Sequence, residues 1–354
     1  MRVLKYLIFL LLIFTIGLAI YVAVQPDDYK IIKTRVIKAP LPLIRSYIDD
    51  YTKWTQWGVW NLKDPSMKIA YGDRYKGEGA SCSWTSKLYG KGSVTTTYFS
   101  KDSISQEIHY DSPQRETSRR FWSFDPTANG EGIIVTSGVE GSFTFTDKFL
   151  ALVKQSREQN YESQYTKELH NLDSVVTTNM KRYTIDILGP TEYGGGFYLY
   201  QTVSSKFNEL TTNTDHLFTE ISAYMEHNNI AASKNPFVRF IQWDTAEKTA
   251  IVSAAIPVND RIITPKGSSV LSGYIAPGLY YKTTLFGAYS NAKEAWAKTE
   301  ESLIKEGYSI DPNRDDLEIY IKCPEYYPNP ADLETDIYIP ILDTTQVQTK
   351  TSIL

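Results

Sequence analysis

Two alternating runs near the C-terminus carry the side chains best suited to chemistry. In Asp316-Leu317-Glu318-Ile319-Tyr320-Ile321-Lys322, apolar and polar residues alternate with the period of a β-strand. Such a strand turns Leu317, Ile319 and Ile321 towards covering helices and Glu318, Tyr320 and Lys322 to the opposite face. In residues 336–341, Ile337, Ile339 and Ile341 form the apolar face, and Tyr338 shares the other with Asp336. A carboxylate framed by Tyr320 and Tyr338 suits a cationic or amphipathic aromatic ligand: the charge pairs with the cation and the ring faces add cation–π attraction. The same carboxylate, its pKa raised by burial among rings, is also a candidate general base on water, with Tyr320 or Tyr338 assisting. Lys322, four residues along on the same face, would work against both by neutralising Glu318. Tyr280 and Tyr198 lie in two further strand-like runs, 278–287 and 196–203, and extend the aromatic set. Alternation lets only one of Phe197 and Tyr198 face the same pocket.

Other chemistries find little support. The two cysteines, Cys82 and Cys323, make no disulfide framework, and His109, His170, His216 and His227 have no metal-ligand spacing. No metal site and no cofactor are expected. Tyr193-Gly194-Gly195-Gly196 is a glycine run without the strand and helix that a nucleotide cradle needs. The net charge of −4 and the lack of a basic recognition helix argue against nucleic acid as a partner. With 42% hydrophobic and 22% charged residues, the composition is that of a globular protein, and tyrosine outnumbers phenylalanine 26 to 14. At roughly 150 residues per domain, 354 residues make two domains and a remainder.

The remainder is N-terminal. Arg2 and Lys5 precede an uncharged run over residues 7–24, which as a helix reaches about 27 Å, enough to cross a bilayer core. A signal peptide has an apolar core of roughly 7–15 residues and a small-residue cleavage site. Here the run is longer and ends Ala19-Ile20-Tyr21-Val22-Ala23-Val24, a poor site. Residues 1–28 are therefore expected to be a transmembrane anchor. Arg2 and Lys5 favour an inside N-terminus, while Lys30, Lys33, Arg35 and Lys38 weigh the other way. The expectation is a single-pass protein with its bulk outside the cytoplasm (periplasmic); the cytoplasmic orientation stays open.

After the anchor, residues 29–38 read as a strand, Ala39-Pro40-Leu41-Pro42 breaks it, and Leu43, Ile44, Tyr47 and Ile48 mark a short helix. Trp54, Trp57 and Trp60, spaced by three, either share one helical face or plug one end of a sheet. Segments 67–71, 79–87, 91–99, 103–110, 117–124 and 132–145 are strand-like and separated by turn residues. Over 147–178, Phe149, Val153, Tyr161, Tyr165, Leu169, Leu172 and Val176 predict one long amphipathic helix. The order of elements, with Val36-Ile37-Lys38-Ala39-Pro40, Asp50 and the three tryptophans, resembles the START-like, polyketide-cyclase-like (SRPBCC) helix-grip superfamily over residues 29–180. The resemblance implies a cavity between long helix and sheet for an apolar small molecule. Trp84, Phe121 or Trp122, and Tyr161 or Tyr165 either line such a cavity or simply fill the core. The charged run 114–120 reads as a solvated strand edge.

Residues 181–342 contain an internal repeat. Each copy reads strand–helix–strand–strand: 196–203, 206–228, 237–243 and 249–258, then 278–287, 291–306, 317–322 and 336–341. The copies close alike, Ala255-Ile256-Pro257-Val258 and Tyr338-Ile339-Pro340-Ile341. Two such units paired about a pseudo-two-fold axis would put both helices on one face. This half resembles the gyrase-inhibitor-like (GyrI-like, AraC-type) effector-binding domain through Pro277-Gly278 with Tyr280, Leu317-Glu318-Ile319-Tyr320, and the 334–341 ending. The resemblance implies binding of lipophilic, often cationic, small molecules, with the family's acid falling on Glu318 and Tyr320, Tyr338, Tyr280 and Tyr198 around it. Some members hydrolyse reactive small molecules.

The expectation is an α+β protein: a transmembrane helix, a helix-grip antiparallel sheet with a long C-terminal helix, a duplicated effector-binding domain, and a tail at 343–354. Its leading function is a membrane-anchored binding protein that senses, sequesters or carries a lipophilic or cationic small molecule. A hydrolase using Glu318 as base and a non-catalytic cell-envelope scaffold are the alternatives. No protein partner is implied.

Overall fold

The N-terminal run forms helix α1 (Arg2–Ala23), whose segment Leu4–Ala23 has a mean hydropathy of 2.6 and is almost wholly exposed. By length and composition it can cross a membrane. This computed structural model describes residues 2–26, 28–111, 116–152 and 157–342, so the expected tail at 343–354 lies outside the described residues. The chain divides into two units, Met1–Asn179 and Met180–Leu354. The fold is the α+β arrangement expected: an apolar N-terminal helix, an antiparallel sheet followed by a long helix, and a second antiparallel sheet.

In the first unit, β1 (Asp28–Ile37) leads to α2 (Leu41–Ile48), a 3₁₀ turn (Tyr51–Gln56) and α3 (Val59–Lys63). Pro42 sits in the first turn of α2, where its missing N–H is harmless, and the Asp50 carboxylate caps the 3₁₀ turn by accepting from Thr52 N. Six strands follow: β2 (Lys68–Tyr71), β3 (Ser81–Ser86), β4 (Gly90–Phe99), β5 (Ser103–Tyr110), β6 (Glu116–Pro126) and β7 (Ile133–Ser142). They pair in the order β1-β7-β6-β5-β4-β3-β2. The three tryptophans do not share one helical face. Trp54 and Trp57 lie on and just after the 3₁₀ turn and Trp60 on α3; Trp54 and Trp57 are buried, donating their indole N–H groups to Ile48 O (2.9 Å) and Tyr47 O (3.0 Å).

The single helix expected over 147–178 is two elements, α4 (Phe145–Ala151) and α5 (Arg157–Met180), and the preceding strand stops at Ser142. Tyr165, Leu169, Leu172 and Val176 of α5 are buried as the periodicity requires. Phe149 of α4 is not; it is 42% exposed. The basic residues after α1 are spoken for within the unit: Lys30 pairs with Glu140, Lys33 with Glu162, Arg35 with Asp173 and Lys38 with Glu131. Residues 114 and 115 of the expected charged edge, and the side chains of Glu116 and Tyr161, lie outside what is described.

The centre of this unit is ionic. Arg120 of β6, fully buried, donates to Glu168 of α5 at 2.9 Å, and the guanidinium lies over the rings of Trp122 (4.3 Å), Tyr165 (4.8 Å) and Trp54 (5.4 Å). Among the described residues its Nε and Nη1 have no hydrogen-bond partner, so ring faces take the place of acceptors there.

The second unit runs β8 (Thr184–Tyr193), β9 (Gly196–Lys206), α6 (Leu210–His227), β10 (Phe237–Asp244), β11 (Thr249–Val258), β12 (Leu271–Ile275), β13 (Gly278–Phe286), α7 (Ala292–Lys305), β14 (Asp316–Lys322) and β15 (Glu334–Pro340). The sheet order is β12-β9-β11-β10-β14-β15-β13-β8. Exchanging the two repeats reverses this order onto itself, so the pseudo-two-fold axis passes between β10 and β14. Each repeat has a leading strand beyond the four expected, and the two are exchanged. β8 opens the first repeat but pairs with β13 of the second, while β12 opens the second and pairs with β9 of the first.

The glycine run now has a structural role. Gly194-Gly195 joins β8, at one edge, to β9, one strand from the other edge. Two residues span less than about 11 Å, so the ends of the sheet meet and the sheet curls. At Gly195 (φ +62°) an added Cβ would lie 2.1 Å from the Ile275 carbonyl oxygen, so no side chain fits at this crossing. The helices cover the outside of the curl, α6 over β9 and β11 and α7 over β13, β15 and β8.

Breaking the buried ion pair tests this account of the first unit. Arg120→Ala leaves the Glu168 carboxylate buried and unpaired, with an expected loss of about 3–5 kcal/mol. The double substitution Arg120→Met with Glu168→Leu is expected to regain most of it. Both are measured as shifts in the urea transition followed by tryptophan fluorescence, since five of the seven tryptophans lie in this unit.

Candidate functional site

Glu318 lies on β14, opposite Val238 of β10 and Ile337 of β15. Ile337 packs with Ala295 and Leu303 of α7, so Glu318 faces the helices, and Leu317 and Ile319 face the inside of the curl. This reverses the expected orientation. The physical reason is that both faces of this sheet are buried: alternation separates the two faces but does not say which one the helices cover.

The five sequence-chosen residues are thereby divided. Glu318 and Tyr320 lie under the helices. Tyr198, Tyr280 and Tyr338 lie on the other face, buried together with Phe237, Leu317 and Ile319. Their cation–π positions are already filled by the protein's own cations: Arg239 is 5.3 Å from the Tyr198 ring, Arg314 4.9 Å from Tyr280 and Lys282 5.4 Å from Tyr338. Those cations are themselves held, Arg239 by Asp315 and the Tyr198 hydroxyl, Lys282 by Asp336 at 2.8 Å. The inside of the curl is a packed core.

Under the helices the situation differs. Trp296 of α7 donates its indole N–H to Glu318 Oε2 at 3.0 Å, and the Tyr320 hydroxyl hydrogen-bonds to the same carboxylate. Phe218 of α6 meets Tyr320 edge-on at 6.0 Å, and Tyr289 lies 5.2 Å from it. Phe240 stacks on Trp243 at 4.5 Å and meets Trp296 edge-on at 5.4 Å. The carboxylate thus sits at the floor of an aromatic groove between α6 and α7. Lys322 does not neutralise it. A bulge at Ile321 shifts the register so that Lys322 stands opposite Glu334 and pairs with it at 2.7 Å.

A second acid, Asp316, shares the strand face of Glu318 and is hydrogen-bonded by Trp243. Burial pushes its carboxyl up to about 6. Burial also raises the Glu318 carboxyl, against the pull of its two donors, and raises the Tyr320 and Tyr289 hydroxyls. Among the described residues, neither Glu318 nor Asp316 has a basic partner within ion-pair distance. Asp316 was within reach of the alternation that selected Glu318; Phe218, Tyr289 and Trp243 come from other elements, and nothing in their local sequence marks them. No group of His, Cys, Asp and Glu suited to a metal occurs among the described residues.

The first unit holds a cavity of about 140 Å³ between the sheet, α3 and α5. Trp60 and Trp84 stack at 6.4 Å along it, Tyr110 meets Trp84 edge-on, and the Trp60 indole donates to Gln164 of α5 at 3.0 Å. Tyr51, Val94 and Ile108 extend the apolar wall. The Cys82 thiol also lines it; burial pushes it up to about 12, so it stays protonated and acts as a small apolar group. Of the sequence candidates, Trp84 lines the cavity. Trp122 and Tyr165 instead pack on Arg120, and Phe121 carries the Lys30 ammonium on its ring at 5.5 Å.

No protein-family model matches the chain, and no curated protein matches it. Among solved structures, the EcmrR C-terminal domain is similar at 15% identity and a TM-score of 0.39, covering 46% of this chain and 99% of that one. Protein CV1439 from Chromobacterium violaceum is similar at 12% identity and a TM-score of 0.31, covering 43% and 98%. Ara h 8.0201 is similar at 10% identity and a TM-score of 0.32, covering 43% and 99%.

Proposed function

We propose that this is a membrane-anchored protein that binds lipophilic small molecules, with a cationic aromatic ligand held over Glu318. One observation carries the reading: a buried carboxylate at the floor of an aromatic groove, given two neutral donors and, among the described residues, no protein cation. A bound cation supplies the missing charge, and Phe218, Trp243, Trp296 and Tyr320 supply ring faces. Trp243 is 40% exposed, so the groove has an open wall.

The reading takes residues 1–28 as the anchor, 29–180 as a helix-grip domain and 181–342 as an effector-binding domain, in line with the two family resemblances of the sequence. Its first-domain cavity, lined mainly by aromatic and aliphatic side chains, suits an apolar group about the size of one aromatic ring. The orientation proposed is extracytoplasmic, because the basic residues after the span are paired with acids of the fold and Arg2 and Lys5 remain on the other side.

Tetraphenylphosphonium and its near-isosteric anion tetraphenylborate make a direct test. The cation is expected to bind the full-length protein and quench tryptophan fluorescence, and the anion to bind at least about tenfold more weakly. Glu318→Gln keeps the shape and removes the charge; a loss of about tenfold or more in cation affinity is expected. Equal binding of both ions, or an unchanged Glu318→Gln, rejects the assignment.

The pH dependence has a fixed sign. The Glu318 carboxyl is raised in the folded chain, so folding takes up a proton between the ordinary carboxylate pKa and the raised one. The stability owed to this group is present in full below the ordinary value and falls as pH rises through the raised one. A bound cation favours the ionised form and expels that proton. Cation affinity is therefore expected to rise with pH and level off above the raised pKa, in titrations across pH 4–9 in wild type but not in Glu318→Gln.

A further inference from the structure

Helix α4 carries an apolar stripe that its own unit does not use. Phe145 and Phe149 of α4 and Leu152, in the turn just after it, recur at i, i+4 and i+7, which aligns them on one side. They are 51%, 42% and 46% exposed. The same periodicity in α5 is buried against the sheet.

The topology explains where this stripe is. β1 begins at Asp28 and β7 ends at Ser142; the two residues pair, and the Ser142 hydroxyl donates to Asp28 Oδ1 at 2.8 Å. The chain therefore leaves α1 and enters α4 at neighbouring points of one sheet end. Lys148, on the flank of the stripe, donates to the Gln25 carbonyl oxygen at 2.6 Å, which ties α4 to the C-terminal end of α1. Tyr21 and Val24, in the last turn of α1 and just beyond it, are exposed as well. The stripe is thus continuous with the apolar surface of α1 at the level where that helix ends.

We infer that α4 lies in the bilayer interface beside the span, with Phe145, Phe149 and Leu152 inserted among the lipids. This rests on the reading of α1 as a membrane anchor. The occupant follows from continuity: the surface adjoining the stripe is the apolar helix end, and exposed aromatic and aliphatic side chains beside such an end are what an interfacial segment presents. The first unit then has two points of attachment, and one end of its sheet is seated against the membrane. Its cavity lies in that half. β5 contributes Ile108 and Tyr110 to the wall, β4 contributes Val94, and all three belong to the strand halves nearer the α1 end. A ligand of this cavity would come from the bilayer.

The test is fluorescence quenching in phosphatidylcholine vesicles by lipids brominated on the acyl chain. The full chain, with Cys82→Ser and Cys323→Ser, is labelled with a nitrobenzoxadiazole dye at Leu10→Cys, Phe145→Cys or Lys101→Cys, the last at the far end of the sheet. At least twofold quenching is expected at positions 10 and 145 and none at 101, with shallow bromines acting best at 145 and deep ones at 10. Quenching at 10 with 145 behaving like 101 overturns the inference and leaves the anchor standing. Absence of quenching at both 10 and 145 overturns both. Concentration-dependent, bromine-insensitive shielding at 145 means that a second copy covers the stripe, and also overturns it.

Discussion

An ionised group taken out of water must be met by opposite charge or by donors and acceptors, or it gives up its charge. Each unit of this protein is arranged around one such group, and the two are resolved differently. In the first, Arg120 is met by Glu168 and by three ring faces, which fixes α5 to β6 and closes the centre of the unit. The space left over, beside Trp60 and Trp84, is apolar because the polar groups of this core are spent on one another. In the second, Glu318 receives only the Trp296 and Tyr320 donors. Its charge is left open, and in this the two cores differ.

The exchanged edge strands make this second site possible. Because β8 and β12 cross between repeats, the sheet curls and buries its inner face with its own tyrosines. Both helices are then free to lie outside, on either side of the central pair β10 and β14. The groove between them has the pseudo-two-fold axis as its floor, but only the second repeat places an acid there. At the matching position opposite Glu318 stands Val238, fully apolar and buried. A symmetric fold thus presents an asymmetric site.

Much of this was legible in the residues. Strand alternation, the I-P closing motifs and the three tryptophans gave the layers, the repeat and the entrance to the first unit, because each reflects local geometry. What escaped notice depends on distant parts of the chain. β8 contains Gly189-Pro190 and a bulge at Leu188, which disguise its period, and it becomes a strand through pairing with β13. The face of Glu318 depends on a curl that no single strand encodes. The role of Lys322 turns on one extra residue, Ile321. The helix expected over 147–178 takes in residues of α4, whose apolar spacing suits packing although Phe149 and the following Leu152 stand exposed.

The strand exchange also bears on how such a unit arose. Neither repeat is a smaller version of the whole, since each would lose its edge partner and expose half of its tyrosine-lined face if cut free. Two separate copies of one repeat, each lending its first strand to the other across a two-fold axis, would close the same eight-stranded sheet. The duplicated unit therefore has the form of a strand-swapped homodimer whose two chains were joined.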